Sequence, residues 1–157
     1  MVSKYDELKN RIQGKLDILI LTETKLDHSF PAKQFDIDGY KSYRQDRNRN
    51  GGGLLIYVRE DIPSKELSKH MFPDVVFNME DTKGPIEGIF LEINLRRCKW
   101  LLFGTYHRPY QNDGYYFDKI THALDIYIKT YDRFLLVGDF NTEDHEINIC
   151  SFLQQYD

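Results

Sequence analysis

Cysteine is scarce: Cys98 and Cys150 are the two among 157 residues, and they form no C-x-x-C pair. Two thiols cannot build a disulfide scaffold, so a reduced, intracellular compartment, nucleus or cytoplasm, is expected, and ordinary half-buried thiols are the plain reading. No apolar run approaches the ~20 residues that a membrane helix needs. The start, "MVSKYDELKN", is too charged for a secretory signal. Positive charge is not in excess either. Lys and Arg number 21 against 25 Asp and Glu, a net charge of −4. That argues against a nonspecific nucleic-acid binder held by overall charge, but not against an enzyme that grips nucleic acid through a local basic patch or a metal ion. Repeats, low-complexity tracts and linkers are absent.

What is present fits a soluble globular chain: 41% hydrophobic, 29% charged and 14% aromatic residues. The length predicts one domain with a sizeable core. Tyr5, Leu8, Ile12 and Leu16 recur at helical spacing, loosened at Gly14. "LDILILTET" is a continuous apolar run, as in a strand buried on both faces. "DGYKSYR" predicts a short strand, "RQDRNRNGGG" a polar, basic loop, "GLLIYV" a buried strand and "REDIPS" a turn. Ser64 to Gly84 has a weak pattern, with one edge strand expected. "IEGIFLEINL" alternates and "CKWLLFGTY" follows a tight turn at Arg96 and Arg97, which predicts a hairpin. Phe117, Ile120, Leu124, Tyr127 and Tyr131 mark an amphipathic helix capped by Asn112 or Asp113. "RFLLVG" predicts another buried strand and "EINICSFLQQY" a terminal helix. The whole reads as a layered α/β domain with a mixed sheet.

Three strands end in residues that carry chemistry: Glu23 after "LILT", Tyr106 and His107 after "LLFGT", and Asp139 with Asn141 in "LLVGDFN". Ligands of open α/β sheets collect beyond the carboxyl ends of strands. Residues i and i+2 of an extended segment point the same way, so Asp139 and Asn141 are expected to project together. Hard oxygen donors of this kind suit Mg²⁺, which keeps several waters and accepts one or two carboxylates plus a substrate phosphate. Singly, each has a plainer reading: Glu23 as the first residue of a turn, Asp139 as a cap, His107 as a hydrogen-bond donor. "NGGG" is either a phosphate cradle or a turn; it lacks the spacing of a P-loop. Arg44, Arg47 and Arg49 form either a phosphate-contacting patch or a solvated loop. His28, His70, His122 and His145 show no metal spacing.

The stretches "DILILTETKLD", "SFPAKQFDIDGY", "DRNRNGGGLLIYVREDIPS", "LLFGTYHRPYQND" and "LLVGDFN" resemble the endonuclease/exonuclease/phosphatase superfamily. Within it they are most similar to the endonuclease domain of LINE-type (non-LTR) retrotransposons. The resemblance implies a DNase I-like, four-layered α/β sandwich with mixed sheets. It also implies hydrolysis of DNA phosphodiester bonds with Mg²⁺ (or Mn²⁺), beside a reverse-transcriptase region of the same element. By that resemblance Glu23 and Asp139 serve the metal, Asp139 also prepares the attacking water, and Asn141 positions phosphate. The family's active-site tyrosine matches Tyr106, with His107 as the alternative register.

Two family features are absent. Members begin with a strand ending in an asparagine beside the metal, and they end in "S-D-H" or "S-D-F-H"; neither occurs here. Residues 1–157 are therefore expected to form an incomplete domain, with most of one sheet lacking, apolar surface exposed and activity crippled. A non-catalytic remnant or interaction module and a phosphatase of small phosphoesters are the alternatives.

Overall fold

The computed structural model describes residues 4–12, 14–67, 86–109, 111–141 and 152. Helix α1 spans Tyr5–Ile12. It ends a turn earlier than the spacing predicts, because Gly14 takes a left-handed φ of 71°, a conformation that closes helices readily only with glycine. Leu16, expected on its apolar face, is left exposed. Strand β1 (Ile18–Thr22) follows, then a 3₁₀ turn at Ala32–Phe35 and strands β2 (Tyr40–Gln45), β3 (Leu54–Arg59) and β4 (Ser64–Glu66). β5 (Glu87–Leu95) and β6 (Cys98–Tyr106) form the predicted hairpin, helix α2 covers Asp113–Tyr127, and β7 is Arg133–Asp139. The terminal helix expected over 146–156 lies outside the described residues, apart from Phe152.

The strands form two sheets, β1-β3-β2 and β4-β5-β6-β7. The first is antiparallel throughout. The second is mixed, since β6 and β7 run parallel across the α2 crossover. β4 is the edge strand expected after Ser64. In the hairpin Leu95 pairs with Cys98, so Arg96 and Arg97 alone make the turn, both at positive φ (52° and 66°). That is the type I′ pattern, which matches the twist of the flanking strands.

Side-chain alternation builds four layers. From β3, Leu54, Ile56 and Val58 point between the sheets, where they meet Ile89, Leu91, Ile93 and Leu102. Leu55 and Tyr57 point the other way, onto Ile12, Leu26, Phe35 and Ile37 beneath α1. On the far face of the second sheet, Phe90, Leu101 and Phe103 pack against Tyr116, Phe117, Ile120 and Leu124 of α2. Phe90 and Phe103, opposite each other in register, stack with ring centroids 3.9 Å apart. The fold is thus helix, sheet, sheet, helix.

Two expectations are corrected. β1 and β7, read as fully buried strands, are half-buried, because among the described residues each is the last strand of its sheet. Tyr131 lies beyond α2, where its hydroxyl donates to Glu92 (3.1 Å). Among the described residues one sheet has three strands and the other four. Among the described residues no helix is long and apolar enough to cross a membrane.

Candidate active site

Parallel pairing brings two of the three strand ends together. Tyr106 lies opposite Asp139, the last register pair of β6 and β7. The pairing depends on Gly138, because a Cβ there would sit 1.9 Å from the Thr105 carbonyl oxygen. The third end comes from the other sheet: the Tyr106 hydroxyl crosses between the sheets and donates to Glu23 Oε1. Glu23 itself turns out of β1 with a left-handed φ of 53°.

Burial works against ionisation of Glu23. The Tyr106 hydroxyl, the Gly52 N–H and the charges of Lys25 and Arg47 outweigh it, so the carboxyl titrates below its ordinary range. Burial, and then the Glu23 carboxylate, push the Tyr106 hydroxyl well above the ordinary tyrosine value. At neutral pH the pair is an ionised carboxylate held by a neutral phenol. Its side chain is about one third exposed (36%), so the carboxylate remains accessible to a cation.

Asp139 and Asn141 do not extend side by side from a strand as expected. β7 ends at Asp139, and Asn141 adopts φ 44°. The Asn141 N–H folds back on Asp139 Oδ1 (3.2 Å), while its side-chain amide donates to the His107 carbonyl (2.6 Å). The "GDFN" stretch is a closed turn tied to the end of β6. His107 does not share the site-facing position. Its ring is buried against Tyr116 of α2, with centroids 4.2 Å apart.

The glycine loop is a turn, and its amides do face anions, but those of the protein itself. Gly52 supports Glu23, and Gly53 N–H donates to Glu87 Oε2 (2.8 Å). Its carbonyls close onto the segment after β1, with Lys25 N–H donating to Gly52 O at 2.9 Å. Gly52 needs glycine for its φ of 70°, and a Cβ there would also push aside the side-chain ends of Arg47 (2.4 Å) and Glu87 (2.6 Å).

The three arginines are all engaged. Arg44 grips Asp46 through two nitrogens, at 2.6 Å each, and the Asp27 and Phe30 carbonyls. Arg49 holds Asp27 (2.9 Å) and Ser29 (2.6 Å). Arg47 pairs with Glu87 (2.6 Å) and Gly51 O (2.7 Å), its guanidinium 5.9 Å from the centre of the Tyr106 ring. Sequence reasoning missed Glu87, a buried carboxylate. The one available signal was its position just before the apolar stretch Ile89–Leu91 of β5.

Among the described residues no three His, Cys, Asp or Glu side chains gather to hold a metal. Among these residues no closed protein cage is built. The ionised, partly exposed Glu23 fits a hard cation that keeps most of its water and uses few protein ligands.

The sequence matches the Endonuclease/Exonuclease/phosphatase family over residues 1–156. The chain belongs to that family. Comparison with curated proteins finds no match. Among solved structures, humanized D. rerio TDP2 carrying 14 mutations superposes with a TM-score of 0.62 at 15% identity, over 96% of this chain and 63% of that one. D. rerio TDP2 complexed with a single-strand DNA product gives 0.63 at 14%, over 95% and 57%. The 3′ phosphatase NExo from Neisseria, bound to a product DNA hairpin, gives 0.57 at 18%, over 88% and 53%. At such identities the likeness establishes the fold. The chain spans about 57–63% of the length of the TDP2 structures named here.

Proposed function

We propose that this family member is a metal-dependent phosphodiesterase acting on DNA, derived from the endonuclease domain of a LINE-type retrotransposon, and weak as the 157-residue polypeptide. The observation that carries the reading is the Tyr106–Glu23 hydrogen bond, next to the paired end of Asp139. It links carboxylates and hydrogen-bond donors from both sheets at one end of the sandwich. Two of the structural neighbours hold DNA products, which supports DNA as the substrate class. The retrotransposon origin rests on the motif resemblance, as does a reverse-transcriptase region as partner.

In this reading Glu23, with Asp139, would hold Mg²⁺ or Mn²⁺. The ion would neutralise nonbridging phosphate oxygens. Asp139 would orient the attacking water and accept its proton. The Asn141 side chain, whose amide keeps a second N–H, would face the phosphoryl oxygens, where donors aimed at developing charge are worth a few kcal/mol. The Tyr106 hydroxyl, with one proton, would join it on releasing Glu23. Tyr106 rather than His107 in the family's tyrosine position is supported by the reach of the Tyr106 hydroxyl to Glu23 and by the packing of the His107 ring on α2. The expectation of weak activity for these 157 residues rests on the motif resemblance, whose "SDH" or "SDFH" segment they do not contain, since groups that act as a unit lose most of their effect when one is removed.

The test is nicking of supercoiled plasmid. With Mg²⁺ the polypeptide should nick close to background, and Asp139→Ala should barely lower it. Adding a preceding strand that ends in Asn and a following "SDFH" segment should raise nicking by orders of magnitude. That gain should require metal and disappear in Glu23→Ala. A folded, monodisperse chimera that binds Mg²⁺ yet fails to nick would refute the reading.

A further inference from the structure

We propose that His107 is a positioning residue that sets the geometry of the "GDFN" turn, holding Asp139 and Asn141 from beneath without touching substrate. The inference rests on the reading of those two residues given above. Three hydrogen bonds join position 107 to three successive residues of the turn. Its N–H donates to the Asp139 carbonyl (2.9 Å), its ring Nδ1 bonds the Phe140 carbonyl (2.6 Å), and its own carbonyl accepts from the Asn141 side chain (2.6 Å). The first and third come from the backbone, so any residue at 107 could make them. The second belongs to the imidazole alone.

That bond fixes the tautomer. A carbonyl oxygen only accepts, so Nδ1 carries the proton. The opposite edge of the ring faces α2, with Nε2 3.6 Å from Asp113 Oδ1, and Tyr116 lies against its plane. The ring is therefore wedged between the first turn of α2 and the turn after β7. Its reach matters because Asn141 sits at φ 44°, where a non-glycine backbone is strained and persists only when its surroundings over-determine it. The Phe140 carbonyl is the peptide oxygen immediately before that strained residue. Tethering it fixes the orientation of the peptide plane from which Asn141 departs, and with it the direction of the Asn141 amide.

The experiment compares wild type, His107→Phe, His107→Asn and His107→Gln. Phe keeps a buried ring without a donor. Asn offers an amide N–H near the place of Nδ1–H, whereas Gln offers one near Nε2. Amide hydrogen exchange at positions 107 and 141, read by NMR, should quicken about tenfold or more in His107→Phe and His107→Gln and stay near wild type in His107→Asn. Single-turnover nicking, read in the repaired protein described above with each substitution introduced, should follow the same order. A loss of about tenfold to a hundredfold is the scale set by small misplacements of reacting groups.

Unchanged exchange in a folded His107→Phe would overturn the proposal. Equal effects in Asn and Gln would overturn it too, because they would mark simple packing. If His107→Phe does not fold, the contrast between Asn and Gln decides. A wild-type chain with no metal-dependent cleavage, even after the repair described above, speaks against the proposed function, and the exchange data still decide the role of His107.

Discussion

Tyr106 and Glu23 stand 83 residues apart in the chain and share one proton-bearing contact across the gap between the two sheets. The bond stabilises a carboxylate in the only form that can attract a cation. It also gives the two sheets a polar link at the end where their strands open.

The first prediction concerns that link. Replacing Tyr106 with Phe removes the strongest of the influences that favour ionised Glu23, and burial, which opposes it, remains. The Glu23 carboxyl should titrate at higher pH in Tyr106→Phe, as a carboxylate-resolved NMR titration would show. An unmoved titration would mean that Gly52, Lys25 and Arg47 suffice.

A pH dependence of stability follows from the same residue. The folded value of Glu23 lies below its ordinary 4.5, so its contribution is present in full above the unfolded value. It is lost as pH falls through the folded value. Urea unfolding between neutral and acid pH should show a decline below about that ordinary value which is smaller in Glu23→Gln. Identical profiles for the two proteins would contradict it.

The pair beneath the glycine loop should matter more for stability. Arg47 and the buried Glu87 meet at 2.6 Å, and Glu87 also receives the Gly53 N–H. Removing one member of a buried pair leaves an uncompensated charge, with a typical cost of about 3–5 kcal/mol. Arg108 Nε lies 3.9 Å from Glu87 and would still share its charge, so Arg47→Ala should fall below that range in urea unfolding. Glu87→Gln, which keeps the volume and an acceptor, should cost less than Glu87→Ala.

Gly138→Ala is expected to disrupt the end of the β6–β7 ladder. The new Cβ would lie 1.9 Å from a backbone oxygen that cannot swing aside. Overpacking costs of about 1–3 kcal/mol are ordinary where side chains can yield, and here the strands themselves would have to part. Thermal unfolding should drop by many degrees, and exchange at Thr105 and Asp139 should quicken more than in the α1 layer.

Much of this molecule is legible in its sequence. β3 announced itself as an uninterrupted apolar run, and it is the central strand of its sheet, covered on both faces. The hairpin was readable from its alternation and the two-residue turn. Glu23, Tyr106 and Asp139 were readable because each closes a strand. The edge positions of β1 and β7 were not, since apolar composition reports what covers a strand's faces and says nothing of whether a neighbour pairs along its side. Glu87 was illegible for a different reason: its partner lies 40 residues earlier, in a loop whose arginines read equally well as solvated. The turn at Asn141 was missed because extended geometry was carried two residues too far, past a φ of 44°.

The residues at the mouth of the site have an evolutionary consequence. Glu23, Lys25 and Asn141 all occupy left-handed backbone, where few residue types settle without cost and β-branched ones scarcely at all. The apolar layers, by contrast, accept many exchanges among Leu, Ile, Val and Met. A lineage of copies released from selection would therefore not erode evenly. Random substitution would deform the strand mouths while the sandwich behind them still folded, so the architecture would outlive the chemistry it once supported.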